Sequence, residues 1–247
     1  MLNFSESCER NKHPILAQLT SLLSDCNSVL EIGSHSGQHA FHFAQHLPQL
    51  NWQLSDRMLG IEALSHNYNQ TDLNNVLAPI TLDVANSMDW PQQNYTAIYT
   101  ANTLHIMSAE HVKALFQNIS KVCQPNTILV IYGPFNYQGK FTSESNEKFE
   151  QWLQDRDPLS GIRDFEWINE LATAVGIAEG QVKFARKLLK LQLGMDIATK
   201  ITLTENLDGF VDEVKVRMAE KDFNVENHVD YNLVETNMRL QKLNLRK

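Results

Sequence analysis

The chain has 247 residues, 43% of them hydrophobic, and a formal charge of -8. It can bury one substantial core and still carry a small addition. No run approaches the ~18 apolar residues of a membrane-spanning helix, and the opening MLNFSESCERNKHP is too polar for a secretory signal. The expectation is therefore a cytoplasmic protein with no membrane partner.

The charge is uneven. Residues 1–180 hold 9 basic and 19 acidic side chains, and residues 181–247 hold 12 and 10. An acidic main body repels a polyanion, so nucleic acid is not expected as a partner and a small-molecule or protein acceptor is. Cys8, Cys26 and Cys123 are isolated and lack metal-type spacing, so they read as reduced thiols.

Residues 5–24 begin with Ser5 and Glu6, and Ile15, Leu16, Leu19, Leu22 and Leu23 fall on one helical face, which predicts a helix covering the sheet or a ligand mouth. The stretch 28–47, SVLEIGSHSGQHAFHFAQHL, organises the rest of the chain. Val29, Leu30 and Ile32 form a buried strand, Gly33 and Gly37 punctuate a polar loop, and Ala40, Phe43, Ala44 and Leu47 recur at helical spacing. A strand, a glycine turn and a helix open a doubly wound α/β sheet. The helix N-terminus offers N–H groups without helical partners, so a small anionic or zwitterionic ligand is expected there. Glu31, Gly33 and Gly37 give ExGxxxG rather than the GxGxxG of dinucleotide folds, which makes a nicotinamide enzyme improbable.

His39, His42 and His46 share a stripe on this helix, with His35 in the loop before it. Their spacing can ligate a metal, but no carboxylate or cysteine is near, and a solvated helix face is the favoured reading. Residues 51–56 alternate and end in Asp56, nineteen residues after Gly37, where a carboxylate suits ribose hydroxyls; a turn-initiating Asp explains it equally well. Residues 76–84 read as a third strand ending at Asp83, suited to an adenine amino group, with a break at Trp90 and Pro91.

Ala97, Ile98, Tyr99 and Thr100 make a further buried strand, and Asn102 and His105 emerge at its carboxyl end, where open α/β sheets place ligands. His105 is a candidate general base or orienting group, since an unperturbed imidazole titrates near physiological pH. Residues 111–122 read as an amphipathic helix and 127–135 as a fifth strand with a Gly-Pro turn. The polar segment 136–164 is expected to be a loop, a helix and a loop over the site. Phe165, Ile168, Leu171, Ala172 and Val175 mark another helix.

Taken in order, SESCERNKHPIL, VLEIGSHSGQHAFHFA, LDV, WP, TANTLHIM, YGPF, SESN and RDPLSGIRD resemble the methyltransferase-like 26 family across roughly residues 5–178. The resemblance implies a class I methyltransferase fold and an S-adenosylmethionine-dependent transferase, and it implies no substrate; joined to the acidic charge of the main body, the reading is methyl transfer to a small-molecule or undefined acceptor. Glu31, Gly33 and Gly37 would hold the methionine part, Asp56 the ribose and Asp83 the adenine. Asn102 and His105 would face the acceptor, with Tyr132, Ser143, Asn146, Arg163 and Asp164 as weaker candidates. His35 replaces the central glycine of the loop, where a side chain crowds the ligand or strains the backbone. That departure keeps open a rival reading, a binding or scaffold protein on the same fold that has lost transfer activity.

Beyond residue 178 the resemblance ends. Lys183, Arg186, Lys187 and Lys190 fit one helical face, and residues 204–247 read as appended helices that dock on the main domain or on a second copy as a homodimer. The expected division is a methyltransferase-like domain over 1–203, built on a doubly wound, mostly parallel sheet of the seven-stranded type whose ending after residue 178 the sequence does not define, and a helical extension over 204–247.

Overall fold

The computed structural model describes residues 1–177 and 181–185. The chain opens with α1 (Glu6–Leu22), whose N-cap Ser5 accepts a hydrogen bond from the Cys8 N–H, and Ile15 and Leu19 are buried on its inner face. Then come β1 (Ser28–Ile32), α2 (Gln38–His46), β2 (Asn51–Asp56), α3 (Met58–Tyr68), β3 (Val76–Thr81) and β4 (Tyr95–Ala101). Helix α4 (Ala109–Ile119) runs through a 3-10 turn into β5 (Cys123–Tyr132). The segment after β5 holds β6 (Phe135–Asn136), α5 (Glu144–Arg156), β7 (Arg163–Asp164), α6 (Phe165–Ala174) and β8 (Val182–Ala185).

Six strands form one sheet in the order β3-β2-β1-β4-β5-β8, and every pairing is parallel. Parallel strands are apolar on both faces because helices cover both, and β1 conforms to that rule with Val29 and Leu30 fully buried. Val29 joins Phe43, Trp52, Tyr99 and Ile15 in the layer under α1 and α2. Leu30 joins Ile98, Phe116, Trp90 and Ile168 in the layer under α4 and α6. The order reverses between β1 and β4, so their carboxyl ends diverge and leave the crevice where doubly wound sheets take ligands.

The outer strand β3 is irregular. Gln53 and Ser55 of β2 lie opposite Leu77 and Ile80, a register shift that places Ala78 and Pro79 in a bulge, and the Gln53 amide donates to the Ala78 carbonyl at 2.7 Å.

Three expectations need correction. Helix α3 has no counterpart among the elements expected from the sequence. Lys183 lies in strand β8, paired with Val130 of β5, so the helical face begun at that residue does not exist there. The third strand stops at Thr81, and Asp83 lies two residues past it in a turn. Arg186, Lys187, Lys190, the helical extension, its domain boundary near 203 and the homodimer expected through it lie outside the described residues.

Candidate cofactor and acceptor site

The glycine loop is built from alternating left-handed residues, Gly33 (φ +75°), His35 (φ +53°) and Gly37 (φ +79°). A β-carbon at Gly33 would come within 2.7 Å of the Thr103 methyl, and one at Gly37 within 2.6 Å of the Phe41 ring, so both positions need glycine for space as well as for φ. Neighbouring strands pin the loop. The Ser34 N–H donates to the Ser55 carbonyl at 2.8 Å, the Ser55 N–H to the Ser34 hydroxyl at 3.1 Å, and the Ser55 hydroxyl to the Glu31 carbonyl at 2.5 Å.

Asp56 completes this cradle in a way the sequence did not reveal. Its Oδ2 accepts from the His35 N–H at 2.6 Å and its Oδ1 from the Arg57 N–H at 2.7 Å, so the carboxylate fixes the left-handed residue and the entry to α3. A β-carbon at Gly60 would meet Oδ1 at 2.8 Å, which explains the glycine in the first turn of α3. His35 itself is exposed and carries its side chain off the loop at a backbone angle that favours glycine. Asp83 is half-buried, and its Oδ1 accepts from the Ala85 N–H at 3.0 Å within its own turn.

Beneath the loop, Glu31 is 3% exposed and accepts from the Trp52 indole at 3.2 Å. Burial pushes its carboxyl up to about 7; hydrogen bonds from Ser34 and Trp52 oppose that rise and the nearby Asp56 charge adds to it. No lysine or arginine is ion-paired to it: among the described residues the ion pairs are Lys12–Glu9 and Lys113–Glu110. A buried carboxylate without a cation suits a ligand ammonium group.

The N-terminal segment straps over this loop. Ser5 exchanges two hydrogen bonds with the Gln38 amide, at 2.6 and 3.3 Å, and Leu2 exchanges two with the Asn67 amide, at 2.7 and 2.9 Å. His39 is buried rather than solvated. Its Nε2 lies 2.6 Å from Asn11 Oδ1 and its Nδ1 3.3 Å from the Tyr99 hydroxyl, and burial lowers its pKa to about 4. The solvated stripe fails here because distant residues satisfy the imidazole. Among the described residues no group of three or more His, Cys, Asp or Glu is placed to hold a metal.

The other half of the rim carries the acceptor-side candidates. Asn102 adopts φ +57° and its N–H donates to the Tyr132 carbonyl at 2.8 Å, tying the ends of β4 and β5. His105 is 5% exposed, edge-on to Phe149 at 5.2 Å between ring centres. Burial, and then the Arg163 charge, lower its pKa to about 4, so at neutral pH it is an uncharged hydrogen-bonding group and a weak base. Arg163 donates to the carbonyls of Leu104, Met107 and Leu159, which locks the loop bearing His105 against β7. The Ser143 hydroxyl caps α5 by accepting from the Asn146 N–H, and the Asn146 amide donates to Thr142, so both serve the helix start rather than the crevice. Tyr132 is buried at the end of β5.

Four buried side-chain polar atoms among the described residues have no partner in the protein: His42 Nε2, Asn102 Nδ2, Asn136 Oδ1 and Asp164 Oδ1. Three of them lie on β4, β6 and β7 or at their ends. Asn136 was not among the sequence candidates, because a two-residue strand has no periodicity to read.

The strand order, the crevice and the glycine loop define the Rossmann-like fold of the class I methyltransferases. Solved structures agree. An O-methyltransferase family protein from Burkholderia thailandensis superposes with a TM-score of 0.62 at 14% identity, covering 70% of this chain and 53% of that one. Human N-acetylserotonin methyltransferase in complex with SAM gives 0.57 at 14% identity, covering 69% and 47%. PigF with SAH gives 0.59 at 15%, covering 67% and 50%. This chain thus spans about half the length of the structures it matches. It belongs to the family described as protein of unknown function, DUF938, whose model matches residues 2–183.

Proposed function

We propose that this protein is an S-adenosylmethionine-dependent methyltransferase acting on a small molecule, within the methyltransferase-like 26 group that its ERNK, NTLHIM, YGPF and RDPLSGIRD segments resemble. The observation that carries this is Glu31: a carboxylate 3% exposed, without a cationic partner among the described residues, under a loop of three left-handed residues at the switch point of the sheet. S-adenosylmethionine bound there supplies an electrophilic methyl group. Glu31, Gly33 and Gly37 hold the amino-acid end. Asp56 offers the remaining lone pairs of its carboxylate to the ribose, and Asp83 its free oxygen to the adenine.

Methyl transfer is an in-line displacement, so alignment and exclusion of water carry most of the catalysis, an effect worth ~7 kcal/mol or more. Asn102 and His105 orient the acceptor, the imidazole as a neutral hydrogen-bonding group. The strap of residues 2–5 and helix α1 close the loop side.

Calorimetry with S-adenosylmethionine and its demethylated product tests the reading. Binding of either is the expected result, and binding of ATP or NAD in their place overturns it. A second reading, a ligand-binding protein without transfer activity, is favoured by His35 standing where such loops carry glycine. Labelled-methyl transfer into a cell extract separates the two.

A further inference from the structure

The strap of residues 2–5 is not held by apolar burial. Leu2 and Phe4 are 47% and 52% exposed, and Met1 before them is 61% exposed. The strap stays in place through the bonds that Leu2 and Ser5 exchange with the buried amides of Asn67 and Gln38. A segment held by a few hydrogen bonds and little apolar contact opens at far lower cost than the core beneath it.

Both amides have a second partner, and it is the same residue. Gln38 Oε1 accepts from the Ser36 hydroxyl at 2.9 Å, and Asn67 Nδ2 donates to the Ser36 carbonyl at 3.0 Å. Ser36 is 1% exposed in the glycine loop, between the left-handed residues His35 and Gly37. The orientation of each amide is settled by backbone groups whose roles cannot be exchanged, since an N–H of the strap meets the oxygen and a carbonyl of the strap meets the nitrogen. With the strap docked, Gln38 Oε1 receives two donors and Asn67 Nδ2 spends both of its hydrogens, so each amide is saturated at the atom that grips Ser36.

The strap thus does more than lie over the loop. The terminal torsion of an amide side chain is broad, and the strap bonds remove that freedom. Undocking the strap leaves Gln38 and Asn67 free to turn toward water, which slackens their hold on Ser36 and on the loop N–H groups around it. We infer that Gln38 and Asn67 are positioning residues for the glycine loop, acting through Ser36, and that the strap is the latch that sets them. The coupling runs both ways: a ligand that orders the loop favours the docked strap, and the docked strap favours the ligand. The inference rests on the proposed adenosyl-ligand site, yet its first half is measured without a ligand.

Hydrogen exchange read by mass spectrometry tests it, comparing the full chain with one lacking residues 1–4, which keeps Ser36, Gln38 and Asn67. Without ligand, the truncation should speed amide exchange in residues 33–37 at least about fivefold and leave β1 and β4 unchanged. Asn67→Ala should also speed it, and combining the two changes should add nothing to Asn67→Ala alone, because the Leu2 bonds run to that amide. S-adenosylhomocysteine should slow exchange in residues 2–8 of the full chain and dissociate at least about fivefold faster from the truncated one.

Unchanged loop exchange on truncation, an additive effect of the two changes, or equal dissociation from both chains overturns the latch. So does an equal rise in β1 and β4, which would mean that the whole domain has loosened. If S-adenosylhomocysteine binds neither chain, the adenosyl-ligand reading falls, and loop exchange in the free protein alone decides the latch.

Discussion

The two halves of the crevice rim are built to different rules. At the ends of β1 and β2, side chains and backbone exchange hydrogen bonds within the protein: Ser34 with Ser55, Asp56 with His35 and Arg57, Gln38 with Ser5, Asn67 with Leu2. Beyond the ends of β4 and β5, three buried polar atoms have no partner among the described residues. A buried polar group left unpaired costs ~1 to 3 kcal/mol, so a cluster of them on one side points to partners that arrive from outside. The loop half is a finished frame, and on the proposed reading the other half is completed by what binds. Damage to the first should cost stability and binding together, whereas removing polar groups from the second should cost binding alone.

Gly37→Ala is expected to do the most harm, because the added carbon meets the Phe41 ring at 2.6 Å in a backbone conformation that disfavours it. A loss of at least about 2 kcal/mol in denaturant unfolding, with adenosyl-ligand binding lost as well, is the expected result. Wild-type stability would show that the loop is not rigid. Asp56→Ala comes next, weakening the adenosyl ligand by about 1.5 to 3 kcal/mol. Since Asp56 also holds the His35 N–H, its melting temperature should fall too. Unchanged affinity alongside a lowered melting temperature would assign Asp56 to the frame alone.

In the acceptor half, Asn136→Leu should raise stability by about 1 kcal/mol, because an orphaned oxygen is replaced by carbon. A destabilised variant would break the contrast, since it would mean that the amide oxygen has a structural partner too, or that the bond of its nitrogen to the Ile162 carbonyl matters more than the orphaned oxygen.

Glu31 gives the contrast a pH signature. Its carboxyl titrates near 7 in the free protein, and a ligand ammonium favours its ionised form, so affinity should rise several-fold from about pH 6 to about pH 8 and then level off. Glu31→Gln should flatten the profile. For folding the sign is opposite: a raised carboxyl pKa means that the Glu31 contribution declines as pH rises from the ordinary carboxylate range through 7. His39 and His105, lowered to about 4, contribute stability that is lost as pH falls from 6.5 toward 4. The smallest effect is expected of His35→Gly, which relieves the left-handed backbone and clears the loop. It should tighten the adenosyl ligand by less than about 1 kcal/mol, offset in stability by added chain entropy. Weaker binding instead would make the imidazole a ligand contact.

The sheet and the glycine loop were legible because their signals are local: apolar runs for β1, β4 and β5, and glycines at a fixed interval for the turn. What was missed depends on partners distant in sequence. Helix α3 turns Met58 and Leu59 to solvent, 70% and 92% exposed, and buries Leu64 and Asn67, so its apolar positions do not mark an inner face. His39 sits on a stripe that reads as solvated, and its burial is made tolerable by partners such as Asn11 and Tyr99, 28 and 60 residues away. Asp56 was found by its spacing, but its bond to His35 was not, because that bond exists only after the loop has turned left-handed. Of the acceptor side, Asn102 and His105 were visible as polar residues at a strand end, and Asp164 only as a weaker candidate in a segment read as loop. Asn136 was not, because a two-residue strand has no periodicity to read.

The bulge at Pro79 bears on how copies of this chain meet one another. Among the described residues β3 is an outer strand of the parallel sheet, and an outer strand with an unbroken row of donors invites another strand to add to it. Pro79 offers no N–H, and the register shift beside it bends the row where a docking strand would need it straight. In a crowded solution the same irregularity that shapes the end of the sheet discourages growth of the sheet from molecule to molecule, so colloidal stability is written into a strand remote from any chemistry.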